Sequence, residues 1–185
     1  FGLSENPFPF LEGPIEFEGK SSRNPLAFAF YNRNALVLNK PMSEHLPMAM
    51  AYWHTICGTL SDMFGEGTAV RPWKGISTMQ SAKLSMKMAF YLMHLLGLEY
   101  WCFHDRDIVP FGEGLVRFHK NIDEIVPLIK ELQELSGIKC GWVTQNLFSD
   151  PIYAAGAATS PNPSVFANAW APTMKMIDVG QELGA

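Results

Sequence analysis

In the run Tyr100-Trp-Cys-Phe-His-Asp-Arg-Asp-Ile108, a bulky apolar stretch stops abruptly at a histidine followed by three alternating charges. A carboxylate close to an imidazole orients the ring and raises its basicity, which suits His104 and Asp107 to proton transfer. The same letters also describe a satisfied histidine at a strand end followed by a solvated turn. Position adds only modestly to the chemical reading, because reacting groups in parallel α/β folds gather just beyond the carboxyl ends of strands. Of the other histidines, His54 reads as a core residue in mid-strand, and His45, His94 and His119 carry no partner pattern. Trp53, Phe64, Trp101 and Phe148 stand at expected loop starts, where aromatic rings can pack on the carbon face of a sugar while polar groups meet its hydroxyls. Most aromatic residues in such a chain are core, so position alone does not separate the two roles. Asp105, Asp107, Glu113 and Asp150 are scattered over separate loops, short of the roughly six converging oxygen ligands that a hard divalent cation takes. No complete metal site is expected within the chain.

Delivering such a pair to one place requires strands and helices in alternation. Residues 48–57, Met-Ala-Met-Ala-Tyr-Trp-His-Thr-Ile-Cys, are apolar enough to form a strand buried on both faces. A long loop, 58–74, follows, punctuated by Gly65, Gly67 and Pro72. Ser77-Thr-Met-Gln80 has the capping-box pattern, and Ala82, Met86, Ala89, Met93 and Leu96 then lay one apolar stripe along a helix that Gly97 can end. The second strand is 99–105. Asn121-Ile-Asp-Glu124 repeats the capping logic, with Ile122, Ile125, Ile129 and Leu132 on one face and Gly137 as the stop. A third strand, 139–146, leads to a last helix from near Ser164 to Leu183, closed by Gly184. Pro127 and Pro172 fall inside helices, each costing on the order of 3 kcal/mol and predicting a kink or broken turn. Three strand-loop-helix units in succession predict right-handed crossovers, a parallel sheet and the α/β class. Residues 1–40, rich in Pro, Gly, Asn and Ser, read as an arm whose docking patch is Pro25-Leu-Ala-Phe-Ala-Phe-Tyr31. Residues 41–185 form the body.

A chain of 185 residues makes one domain the default, and 48% hydrophobic against 17% charged residues describes an ordered, core-rich protein rather than a disordered one. The net charge of -4 and the absence of any Lys or Arg run supply no basic field, so nucleic acid and anionic membrane surfaces are not expected partners. Residues 89–103, the longest apolar stretch, are interrupted by His94, Gly97 and Glu99 and fall short of the roughly 18 to 20 residues of a spanning helix. Cys57, Cys102 and Cys140 are odd in number and lie in apolar surroundings, which predicts buried free thiols and a reducing, intracellular compartment, the cytoplasm first. Phe1 is not a methionine and no targeting pattern follows it, so neither end is taken as natural.

Several stretches together resemble the D-xylose isomerases, in particular the longer class with an N-terminal extension. They are Asn24-Pro-Leu-Ala-Phe28, Ala51-Tyr-Trp-His-Thr55, Phe64-Gly-Glu-Gly-Thr68, Arg71-Pro-Trp73, Cys102-Phe-His-Asp-Arg-Asp107, residues 121–126, Asn146-Leu-Phe-Ser149 and Gly156-Ala-Ala-Thr-Ser-Pro161. They follow the family's order and spacing and cover nearly the whole chain. The resemblance implies an eight-stranded (β/α) barrel of TIM type, of which residues 41–185 would supply about three strand-helix units. It implies interconversion of aldose and ketose sugars, D-xylose or D-glucose, with two divalent metals, usually Mg, Mn or Co. In that frame His104 opens or binds the cyclic sugar and Asp107 holds its tautomer. Trp53, Thr144 and Phe148 match pocket-lining positions, and Phe64 matches an aromatic that reaches a neighbouring subunit's site, which implies an oligomer.

The resemblance also carries departures. Asp150 and Ala155 stand where the family commonly has histidines, Gln145 alters the Thr-Gln-Asn-Leu-Phe segment, and Pro47, Pro127 and Pro172 lie in or beside regular elements. The family's metal-ligating carboxylates and histidine, its catalytic lysine and its remaining strand-helix units would lie beyond Ala185. Three parallel strands cannot close a barrel, so a completing chain, a continuation of the polypeptide or a larger assembly is expected as partner. Two readings other than the N-terminal portion of an isomerase stay open: a non-catalytic structural or interaction subunit, and a sugar-binding module without turnover.

Overall fold

Alternating apolar strands with capped, one-sided helices has a direct architectural outcome in the computed structural model, which describes residues 1–185 except Glu12, Pro72, Lys74 and Gly75. Those exceptions include Pro72 and Lys74 of the long loop and the centre of the Arg71-Pro-Trp73 motif. A short antiparallel hairpin, β1 (Leu36–Val37) and β2 (Lys40–Pro41), and one helical turn, α1 (Met42–His45), lead into the main sheet. That sheet has the order β3 (Ala49–Ala51), β4 (Tyr100–His104), β5 (Lys139–Thr144), all parallel. The crossovers are α2 (Met79–Leu96) and α4 (Leu115–Ser136), with a single turn, α3 (Asp105–Ile108), after β4. The last helix, α5 (Pro163–Leu183), follows β5. None of the described helices is long and apolar enough to cross a membrane.

The sheet is packed on one face only. Register aligns Met50 with Trp101 and Cys140, and Phe103 with Val143, so these residues share a face. Phe90 of α2 meets Trp101 edge-on at 5.3 Å. Gln133 of α4 accepts a hydrogen bond from the Trp101 indole at 3.4 Å. Gly180 of α5 sits so close to Val143 that an added Cβ would lie 3.1 Å from it. The opposite face carries Ala49, Ala51, Tyr100, Cys102, His104, Trp142 and Thr144, and it stays partly open, with Ala49 and Trp142 exposed. One extra residue at Gly141 shifts the register between Trp101 and Cys102, and that bulge turns Trp142 onto the same face as Cys102 and His104.

Several expectations are corrected. The strand expected over 48–57 ends at Ala51, and Trp53–Cys57 form a π-helical turn. Tyr52 and Ile56, four residues apart, are the buried pair, a helical spacing that an unbroken apolar run conceals. His54 is therefore exposed rather than a core histidine, whereas Trp101, considered as a loop-start aromatic, is fully buried. The cap of α2 lies one residue later than Ser77 and Gln80: Thr78 Oγ1 accepts from the Ser81 amide at 3.1 Å while Ser81 Oγ accepts from the Thr78 amide at 3.0 Å. Helix α4 starts six residues before Asn121, whose buried amide instead donates to the Pro110 carbonyl at 2.8 Å. The stops at Gly97, Gly137 and Gly184 fall where expected, each left-handed with φ of 65°, 73° and 72°. From the arm, Phe8 and Leu11 enter the core ahead of the 25–31 patch, with Phe8 stacked on Tyr91 at 6.2 Å.

Both helices run unbroken through their prolines. For Pro172 a compensation is visible, because the carbonyl four residues back, on Asn168, loses its helical donor and instead accepts a hydrogen bond from the Tyr153 hydroxyl at 3.3 Å. Tyr153→Phe is expected to lower stability by about 1 kcal/mol in urea unfolding. In a Pro172→Ala background, where the helix regains its own donor, that penalty should shrink, and an unchanged penalty in the double-mutant cycle would sink the assignment.

Candidate active site

At the carboxyl end of β4 the chain passes from His104 straight into the α3 turn, which brings Asp107 back over the strand end. Asp107 Oδ2 accepts two hydrogen bonds, from the His104 backbone amide at 2.8 Å and from the His104 ring at Nδ1 at 2.9 Å. An ionised carboxylate can only accept, so the proton belongs on Nδ1 and the neutral ring offers its lone pair at Nε2. Burial pushes the Asp107 carboxyl above its ordinary range, and the two hydrogen bonds from His104 pull in the other direction.

Aromatic rings surround the imidazole. Trp53, swung up by the π-helical turn, lies 4.5 Å away between ring centroids, and Phe148, from the loop after β5, lies 5.5 Å away and edge-on. Thr144 stands beside His104 in the β4–β5 register. The structure therefore gathers five of the six singled-out residues: His104, Asp107, Trp53, Thr144 and Phe148. It leaves Phe64 apart, 90% exposed on a turn held by Asp62 and in no ring contact among the described residues.

Two participants were not singled out from the sequence. Trp142 lies 5.4 Å from Trp53 and 6.4 Å from His104, and its 45% exposure leaves an open wall toward the uncovered sheet face. Its position two residues before Thr144 on one strand was the available signal. Asp105, counted earlier only as a scattered carboxylate, is buried and accepts from the Asn146 amide at 2.8 Å, joining the ends of β4 and β5. Burial raises its carboxyl, against the pull of two backbone hydrogen bonds.

The thiols are not nucleophiles here. All three cysteines are free, and Cys57, whose thiol donates to the Asp107 carbonyl at 3.4 Å, is pushed up to about 12 by burial, as is Cys140. Among the described residues no three His, Cys, Asp or Glu side chains converge to hold a metal ion. A separate cleft of about 660 Å³ lies at the amino ends of the strands, between Ile15–Phe17 and the turns after α2 and α4, and contains none of the His104 group. What remains is the His104 imidazole at a strand end, with the Asp107 carboxylate as its orienter, in an aromatic-walled hollow. Such a group moves protons between oxygens of a bound polar ligand.

No family model matches the chain. Comparison with curated proteins finds xylose isomerases of Caldicellulosiruptor bescii, 50% identical over 171 residues or 92% of this chain, and Geobacillus kaustophilus, 49% identical over 178 residues or 96%. That of Enterococcus faecalis is 45% identical over 177 residues, 96% of the chain. The chain spans 39% to 40% of the length of these relatives. Identity of 45% to 50% over 92% to 96% of its residues makes the chain a counterpart of the N-terminal portion of xylose isomerases.

Proposed function

We propose that this chain supplies the ring-opening side of an aldose–ketose isomerase acting on D-xylose or D-glucose. The observation that carries the reading is the 2.9 Å bond between His104 Nδ1 and Asp107, which leaves Nε2 as the free base inside the aromatic hollow. A cyclic aldose opens when its anomeric hydroxyl loses a proton while the C1–O5 bond breaks. The C1 carbonyl forms, and O5 leaves with the electron pair and needs a proton. His104 Nε2 takes the first proton and the same imidazolium returns it to O5, so the protein ends unchanged. Asp107 stabilises the transient positive ring, and Trp53, Trp142 and Phe148 offer apolar faces to the C–H side of the sugar.

The isomerisation that follows in the family relies on divalent metals, and the described residues do not provide a ligand set for them. That half of the chemistry falls to the rest of a longer protein. The one-sided sheet supports this. All-parallel sheets are found with both faces covered, and here β3 and β5 each keep an edge that no described strand pairs. The sheet reads as the first three strand-helix units of a (β/α) barrel. Helix α5 adds an outward apolar stripe, Phe166, Trp170, Met174 and Ile177, of the kind a further helix would bury. Phe64, so exposed, fits the family role of an aromatic presented to another subunit.

Joined to the remaining portion of the Geobacillus kaustophilus relative and given magnesium, the chain is expected to convert D-xylose to the ketose, whereas the chain alone is expected not to. His104→Gln in the joined protein should lower kcat by about 10² to 10³-fold, the usual worth of a positioned general base. Turnover by the chain alone, or a parental rate for His104→Gln, would overturn the proposal.

Asp107 also makes stability depend on pH. Its folded value lies above the ordinary carboxylate value, so the protonated form favours the fold, and that contribution is present below about pH 4 and lost as pH rises through the folded value. Asp107→Asn, permanently neutral, should match the parent near pH 4 and become the more stable of the two as pH rises toward the histidine range of about 6.5. Urea midpoints across that interval test the sign; a parent that gains on the variant with rising pH contradicts it.

A further inference from the structure

His104 and Asp107 use the first and last positions of a tetrapeptide whose middle residues, Asp105 and Arg106, play no part in the proton chemistry. We infer that Asp105 is a positioning residue: through the Asn146 amide its buried carboxylate fixes the loop after β5 so that Phe148 stays against the His104 ring. The inference deepens the proposed function and rests on it for its catalytic meaning.

Asp105 is 1% exposed. Burying a carboxylate costs several kcal/mol unless its lone pairs are met, and among the described residues it forms no ion pair to meet them. Two backbone donors do so instead: Asp105 Oδ1 accepts from the Arg106 amide at 2.8 Å and from the Asn146 amide at 2.8 Å. The first bond is local. The second crosses 41 residues and ties the end of β4 to the first residues beyond β5.

From Asn146 the hold passes outward. Its side-chain oxygen accepts from the Ser149 amide at 2.9 Å and, more weakly, from the Phe148 amide at 3.4 Å, which folds the loop into a turn with Phe148 at its corner. The Phe148 ring meets His104 at 5.5 Å and 81°, edge to face. Arg106 grips the far end of the same loop, donating to Asp150 Oδ2 at 3.4 Å while its guanidinium covers the Phe111 ring at 4.2 Å. Consecutive residues of α3 thus hold both ends of the loop that walls the site, and Asp105 contributes the buried, geometrically fixed anchor.

Asp105→Ala and Asp105→Asn separate this from a generic stabilising role, since asparagine keeps an oxygen acceptor at the same place. In the chain itself, Asp105→Ala should speed hydrogen exchange of the Asn146 amide at least about tenfold and remove the NOE between the Phe148 and His104 rings. Exchange at Phe103 and Val143 should stay unchanged, and Asp105→Asn should restore both signals. In the joined protein, Asp105→Ala should lower kcat/KM for xylose about tenfold, with recovery in Asp105→Asn and an unshifted pH profile. Unchanged Asn146 exchange in Asp105→Ala, or no recovery in Asp105→Asn, would refute the positioning role whether or not the joined protein turns over sugar. Loss of all turnover in the parent would instead refute the isomerase reading and leave the exchange result standing. If Asp105→Ala does not fold, Asn146→Ala tests the relay: it should lose the Phe148–His104 NOE while its own amide stays protected, and retention of that NOE would refute the relay.

Discussion

Met50, Trp101, Phe103 and Val143 line the face of the sheet packed under α2, α4 and α5, and this packing governs everything else in the molecule. Each large side chain taken fully out of water contributes roughly 1.5 to 3 kcal/mol, and the stack of Trp101 on Phe103 at 4.6 Å lies at the centre of that layer. Because strand side chains alternate, committing Trp101 and Phe103 to the helices leaves Cys102 and His104 no choice but the other face. The position of His104 is thus a by-product of where the core is. The bulge at Gly141 applies the same logic to β5: in a regular strand Trp142 would share a face with Cys140, and the bulge turns it to join His104.

A site built this way carries opposing demands. Asp105 is buried and Asp107 half-buried, and the fold favours the protonated form of each, so each works against stability at neutral pH. They persist because hydrogen bonds offset part of the cost, and those bonds do the structural work of the site. The bonds to Asp107 fix the ring nitrogen that carries the proton. Those to Asp105 fix the loop that carries an aromatic wall. Cys57, whose thiol lies against the Asp107 carbonyl, is made inert by the same desolvation.

Much of this was legible in the sequence where the signal is local. The glycine stops after α2, α4 and α5 are single residues with a backbone reason, and the His104–Asp107 pair is three residues apart on one turn, so spacing alone brought it to notice. The signal failed where the deciding partner is distant or the pattern is ambiguous. An unbroken apolar run cannot distinguish a strand from a buried helical turn, so residues 52–57 read as strand where the chain forms a π-helical turn that leaves His54 exposed. Ser77, Thr78, Gln80 and Ser81 offer two overlapping capping frames, and only backbone geometry chooses between them. Asp105 looked like one more surface charge because its partner amide is on another strand-loop unit.

The uncovered face gives the site its remaining constraint. Pockets that hold small ligands well bury about 70 to 90% of the ligand surface, and the rings of Trp53, Trp142 and Phe148 with Thr144 wall only the side of the hollow formed by β3, β4 and β5. A polar ligand resting there would keep much of itself in water, where its polar groups find solvent as good a partner as His104 and the low-dielectric gain from excluding water is lost. The His104 ring can be held in one orientation and still lack an enclosed ligand. Orientation is local and already in place, set by Asp107 and held by the α3 turn, whereas confinement is a property of the whole concavity. Closing the concave face would therefore change the chemistry of His104 without moving it, by turning an exposed hollow into an enclosed one.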